Sequence, residues 1–119
     1  MDIFCKIING DIPSYTIYED EIVKCFLDVN PMSNGHLLII PKKHYLDLDD
    51  IELDVLTHIM DVAKQMKKRL EDRLHIDGLT LIQNSGEVEE VKHFHLHLKP
   101  FYNIKQELKS VEEIYEILK

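Results

Sequence analysis

The sequence has no tryptophan, and among its 119 residues there are only two cysteines, four glycines and four prolines. Cys5 and Cys25 form no CxxC pair and are too few for a disulfide scaffold, so a reducing cytoplasm is the expected compartment. So little glycine and proline excludes collagen-like and low-complexity organisation. No apolar run approaches the ~20 residues needed to cross a bilayer. The N-terminal "MDIFCKIING" has an early acid and no long apolar stretch, which argues against a signal peptide. Cations are also short: 14 Lys and Arg face 22 Asp and Glu, for a formal charge of −8. That balance works against nucleic acid and anionic membrane as partners. An anionic small ligand stays admissible, because a local site can oppose the global sign.

What remains is 45% hydrophobic and 30% charged, the composition of one soluble globular domain. "FCKIING" reads as a short helix or turn closing at Asn9-Gly10. "YTIYED" and "IVKCFLD" read as two strands joined by a turn around Asp20, with Val23, Cys25 and Leu27 alternating with Lys24, Phe26 and Asp28. After the turn residues of "NPMSNG", "HLLIIP" reads as a buried strand ended by Pro41. From about Asp50 to Arg73 the apolar period turns helical, with Val55, Ile59, Met66 and Leu70 on one face and Asp49 and Asp50 at the positive end. "LTLIQN" and "VKHFHLHLKP" supply a fourth and a fifth strand. In the tail, Leu108, Val111, Tyr115 and Leu118 have helical spacing. Strands gathered around one long helix predict an antiparallel α+β domain.

The segment "HFHLHLKP" carries the chemistry. Alternate residues of a strand share a face about 6.5–7 Å apart, so His93, His95, His97 and Lys99 are expected on one surface and Phe94, Leu96 and Leu98 in the core. Three readings stay open from spacing: a histidine-rich polar face, a metal site built from i and i+2 imidazoles, or nucleophilic and acid–base chemistry near neutral pH.

"HFHLHLK" resembles the signature of the histidine-triad family. "IFCKIINGDIPSYTIYED", "CFLDVNPMSNGHLLIIPKKH" and "LTLIQNSGE" are similar to segments of that family in the same order, so the resemblance covers nearly everything from Ile3 to Tyr102. It implies a five-stranded antiparallel sheet, which with the one long helix makes residues 1–103 the family domain, and the spacing of the tail adds 104–119 as a C-terminal helix packed on it. It also implies a homodimer that hydrolyses nucleoside phosphoramidates or dinucleoside polyphosphates at the α-phosphate. On that resemblance His95 is the nucleophile, His97 contacts the phosphate or leaving group, His93 supports the triad, and His36 closes the site. Asp28 matches the carboxylate that bonds the ribose, Phe4, Ile7, Phe26 and Val29 the walls around the base, and Asn84 a residue near the phosphate. Lys99 joins the ligand-binding set by alternation. No cofactor is required for such covalent chemistry. A structural zinc held by Asp2, Cys5, His44 and His93 is chemically admissible, with Asp2 where relatives have cysteine. Two alternatives are a purine-nucleotide-binding module with little turnover and a metal-dependent hydrolase using the histidines as ligands.

The chain departs from the family pattern in "GEVEEVKH", where Glu89 and Glu90 stand in place of Gln and Ser. A carboxylate beside a phosphate is repulsive unless neutralised or turned away. Three resolutions are expected to compete: Lys99 neutralises one acid, the acids favour a cationic leaving group, or the loop is rebuilt with both acids solvated.

Overall fold

The alternation in "IVKCFLD" and "HLLIIP" sets up the sheet. In a computed structural model that describes all 119 residues, the strands are β1 (Thr16–Glu19), β2 (Val23–Leu27), β3 (Leu37–Pro41), β4 (Gly78–Ile82) and β5 (Leu96–Phe101). They form one antiparallel sheet in the order β1-β2-β3-β5-β4. The helices are α1 (Ile3–Ile8), α2 (Leu53–Leu74) and α3 (Val111–Leu118), with a single 3₁₀ turn over Gly86–Val88. The fold is α+β, as the pattern predicts. No helix is long and apolar enough to cross a membrane.

Both faces of the central strands are covered. Val23, Cys25, Leu27, Leu37, Ile39, Leu96 and Leu98 pack under α2, whose Ile59, Val62, Met66 and Leu70 are buried, and under Ile114 and Leu118 of α3. The intervening residues Phe26, Leu38 and Ile40 form a second cluster with Phe4 and Ile7 of α1. A strand buried on both sides reads as a continuous apolar run, which is why "LLII" shows no alternation. α1 is short, but Asp2 caps it by accepting the Cys5 N–H at 2.7 Å.

Three boundaries differ from expectation. The fifth strand begins at Leu96, so His93 and His95 precede it. Its register against β3 pairs Ile39 with Leu96, and two residues further on Pro41 would face Phe94 with no N–H to offer. Phe94 N–H bonds Tyr45 O instead, at 2.7 Å. The long helix starts at Leu53, because Asp50 is already occupied in accepting the Leu46 and Asp47 N–H groups. The last helix starts only at Val111, capped by Ser110. Before it, Asn34 ties down the backbone by donating to Glu107 O (2.9 Å) and accepting Lys109 N–H (2.8 Å), which leaves Leu108 exposed.

Two histidines outside the triad are structural. His58 on α2 meets Asp20 at 2.6 Å, tying the β1–β2 turn to the helix. His75 ends α2 in a left-handed conformation at φ 54°.

Gly35 turns the chain into β3 at φ +89°, and a Cβ there would lie 2.6 Å from Leu74 Cδ1 and 2.9 Å from Leu70 Cδ2. Gly35→Ala is therefore expected to cost about 1–3 kcal/mol, through both backbone strain and the clash, read as a lower denaturation midpoint.

Candidate active site

Four imidazoles converge on one face of the sheet, and backbone groups dictate where their protons sit. His95 Nδ1 lies 2.8 Å from His93 O. A carbonyl only accepts, so Nδ1 carries the proton and Nε2 keeps its lone pair. His36 runs the other way: its Nδ1 accepts the Met32 N–H at 3.1 Å, so its proton is on Nε2. That Nε2 meets His97 Nδ1 at 2.9 Å, which makes His97 Nδ1 the acceptor and places the remaining His97 proton on Nε2. Among buried side-chain polar atoms, only the two carboxylate oxygens of Glu89 lack a partner. Nε2 of His95 and Nε2 of His97, which bond nothing in the protein, are therefore open to solvent.

The result is a lone pair and an N–H donor on adjacent rings whose centroids are 4.9 Å apart. Burial, aided by the neighbouring His95 and His36, pushes the His97 pKa down to about 4 against the pull of Asp28. Burial likewise lowers that of His36, with Asp28 opposing and Lys99 assisting. Both rings are neutral at pH 7.

The rings line a cleft with two chambers. The apolar one, about 230 Å³, is walled by Phe4, Ile7, Phe26, Val29, Leu38 and Val91. The polar one, about 360 Å³, adds Met32, His36, Ile82 and Asn84. Asp28, Asn30, Glu90, His95 and His97 border both. The Phe4 ring stands edge-on to His95 at 5.0 Å, buttressing it from the apolar side. Asp28 accepts Asn30 N–H through Oδ1, and its Oδ2 lies 3.7 Å from His36 Nε2.

His93 borders neither chamber. It is fully buried, and its Nε2 donates to Pro41 O at 3.0 Å, so Nδ1 faces Asp2, Cys5 and His44 with its lone pair. Asp2 Oδ2 is 3.3 Å from that Nδ1 and 3.1 Å from His44 Nε2. Cys5 Sγ is 3.5 Å from each of Asp2 Oδ2 and His93 Nδ1. Tetrahedral zinc with bonds of 2.0–2.3 Å needs ligand separations of about 3.3–3.8 Å; the contacts among Asp2, Cys5 and His93 meet that range. His44, whose Nε2 donates to Lys92 O at 2.8 Å, would complete the set by giving up that hydrogen bond and its Nε2 proton in favour of the ion. Burial, then the charge of Asp2, holds the Cys5 thiol above its ordinary range; an ion would displace that proton.

The other expected ligand residues fall less neatly. Lys99 shares the histidine face but borders a separate cavity with Phe101 and Lys105, and it forms no ion pair with Glu89 or Glu90, so neutralisation by Lys99 is corrected. Its strand carries it beyond His97, away from both chambers. Glu90 borders both chambers, whereas Glu89 is only 4% exposed, so the two acids are not both solvated. Leu38, Asn30 and Met32 also line the cleft, unexpected from the alternation. For Leu38 the unbroken run "LLII" was the available signal; for the other two, loop positions brought in by the turn at Gly35, the sequence carries none.

The cleft, with imidazoles on a sheet face between an apolar and a polar chamber, is that of a nucleotide-handling α+β protein of the histidine-triad type. The HIT domain profile matches residues 9–104, and the chain belongs to that family. It is 42% identical over 119 residues to the HIT-like protein MJ0866 of Methanocaldococcus jannaschii, covering 98% of this chain and 92% of that one. It is 42% identical over 100 residues to adenosine 5'-monophosphoramidase HNT1 of Saccharomyces cerevisiae, covering 82% of this chain and 61% of the yeast protein. A zinc-bound histidine triad family protein of Mycobacterium smegmatis superposes with a TM-score of 0.90 at 33% identity, covering 98% of this chain and 88% of that one.

A buried carboxylate without a partner is destabilising. Glu89→Met is expected to raise the thermal midpoint by a few degrees, about 1–2 kcal/mol; calorimetry of the two proteins checks it.

Proposed function

We propose that this chain is a nucleotide hydrolase that cleaves nucleoside phosphoramidates or dinucleoside polyphosphates at the α-phosphorus, with His95 as nucleophile. The observation that carries the reading is the 2.8 Å contact from His95 Nδ1 to His93 O, which leaves Nε2 unprotonated and open to the cleft. The phosphoramidase name of the yeast relative supports the substrate class.

In the first step the Nε2 lone pair attacks phosphorus, the N–P bond forms, and the bond to the leaving group breaks with its electron pair. A departing amine takes a proton through His97 Nε2–H, which water replaces; a departing phosphate chain takes none. The ring now carries positive charge, and the His93 carbonyl accepting its Nδ1–H stabilises it. Water then attacks phosphorus, releases the nucleoside monophosphate, loses a proton and restores neutral His95. Two moderate barriers replace one high one.

In this reading the apolar chamber takes the base, the free oxygen of Asp28 bonds the ribose hydroxyls, and Asn84 and His97 donate to the phosphoryl oxygens. His36 holds His97 in the donor tautomer. The chain works in the cytoplasm as a homodimer. β4 leaves one sheet edge unpaired and Leu81 on it is exposed, as a self-pairing edge requires.

No metal takes part in the chemistry. A zinc ion on Asp2, Cys5, His44 and His93 would pin the N-terminal helix to the segment entering β5 and thereby steady Phe4 and His95. A metal-dependent alternative draws on Asp28, His36 and His97, whose ligand atoms lie within 4.8 Å of one another.

Rapid-quench trapping with an adenosine phosphoramidate is expected to label His95. His95→Gly should bind nucleotide within a few-fold of wild type while turnover falls about a thousandfold or more. Binding by the wild type without turnover would instead indicate a nucleotide-binding module, and loss of labelling on chelation the metal-dependent alternative.

Elemental analysis of the dialysed protein is expected to find one zinc per chain, lost in His44→Ala together with several degrees of thermal midpoint. Adduct formation should survive in the zinc-free protein.

A further inference from the structure

Beyond the two chambers lies a third cavity of about 390 Å³, bordered by Met32, Lys99, Phe101, Tyr102, Lys105 and Leu108 among others. Met32 also borders the polar chamber, so that one exposed side chain stands between the two. Lys99 follows His97 by two residues on the same strand face, and its charge is felt at His36. The cavity is lined by two cations and by no carboxylate, in a chain whose formal charge is −8.

Its walls are held in place. Tyr102 Oη donates to Asn34 O at 2.7 Å, and Ser33 Oγ donates to Pro100 O at 2.7 Å. Asn34, itself only 4% exposed, fastens the 105–109 segment through Glu107 O and Lys109 N–H. The loop before β3 and the segment after β5 thus form one fixed rim. Exposed Phe101, Met32 and Leu108 add apolar surface to it.

We infer that this cavity is the leaving-group subsite, and that it takes a leaving group bearing an oxyanion, either a phosphate chain or a carboxylate, on Lys99 and Lys105. The inference rests on the reading of His95 as nucleophile. A nucleotide with its base in the apolar chamber and its phosphorus at His95 directs the group it loses past Met32. There a negative charge finds ammonium groups, while Glu90 stays behind in the inner chambers. An amine whose far end is cationic would meet like charge at the rim.

The test compares three adenosine substrates that share the same nucleotidyl half. One is a phosphoramidate of an uncharged alkylamine, one a phosphoramidate of an amino acid with a free carboxylate, and one a dinucleoside polyphosphate. Wild type is expected to favour at least one anionic substrate over the uncharged one in kcat/KM, with a preference that shrinks as salt rises. In Lys99→Gln/Lys105→Gln that ratio should fall about tenfold, two partly exposed ion pairs being lost. A fall confined to the amino-acid substrate identifies a carboxylate, and one confined to the polyphosphate a phosphate chain.

An unaltered ratio in the double variant overturns the inference, as does faster wild-type turnover of a lysine-linked phosphoramidate, its amino-acid carboxylate amidated, than of the alkylamine one. Trapping separates the levels of failure. Adducts on His95 with indifference to leaving-group charge overturn the subsite alone, whereas no adduct from any substrate overturns the catalytic reading and the subsite with it.

Discussion

The carbonyl of His93 decides what the site can do. By accepting the Nδ1 proton of the next histidine along that face it leaves the opposite nitrogen of His95 basic, and the same logic repeats through the cluster. The Met32 amide sets His36, His36 sets His97, and the Pro41 carbonyl sets His93. Each tautomer is imposed by a backbone group that can only donate or only accept, directly or, for His97, through His36, so the pattern of lone pairs and donors is built in before any ligand arrives. His93 faces its lone pair away from the cleft, toward Asp2, Cys5 and His44. Three histidines alike in sequence therefore sit in three different hydrogen-bonding environments.

Such fixed tautomers require fixed backbone, and the two-sided burial of the sheet provides it. Phe94, Leu96 and Leu98 anchor one side of the segment in the core beneath α2, while Phe4 of α1 presses on His93 and His95 from the other. The ladder to β3 stops at Leu96 because proline follows on the partner strand. The freed stretch from His93 to His95 turns its carbonyl onto a side chain instead of a neighbouring strand. The break in the strand is what makes the His93 carbonyl available.

Electrostatics divides the cleft along its length. The inner chambers hold the neutral rings of His36 and His97 with Asp28 and Glu90, and the outer cavity holds Lys99 and Lys105. Lowering the His36 and His97 pKa values by burial keeps both rings uncharged at neutral pH, so they act as directed dipoles. The long helix and α3 border neither chamber and bury the opposite face of the sheet.

Much of this was legible in the residues themselves. The alternation of "HFHLHLK" already separated imidazoles from core side chains, the helical period of α2 marked its buried face, and the resemblance carried by four ordered segments identified the family. Local pattern suffices there because side-chain direction follows backbone period alone. The place of Lys99, the orphaned carboxylate of Glu89 and the second core beneath α1 were decided only by the tertiary structure. Each depends on contacts between segments far apart in the chain, and the spacing along one strand says nothing of what a distant turn or terminus lays against it.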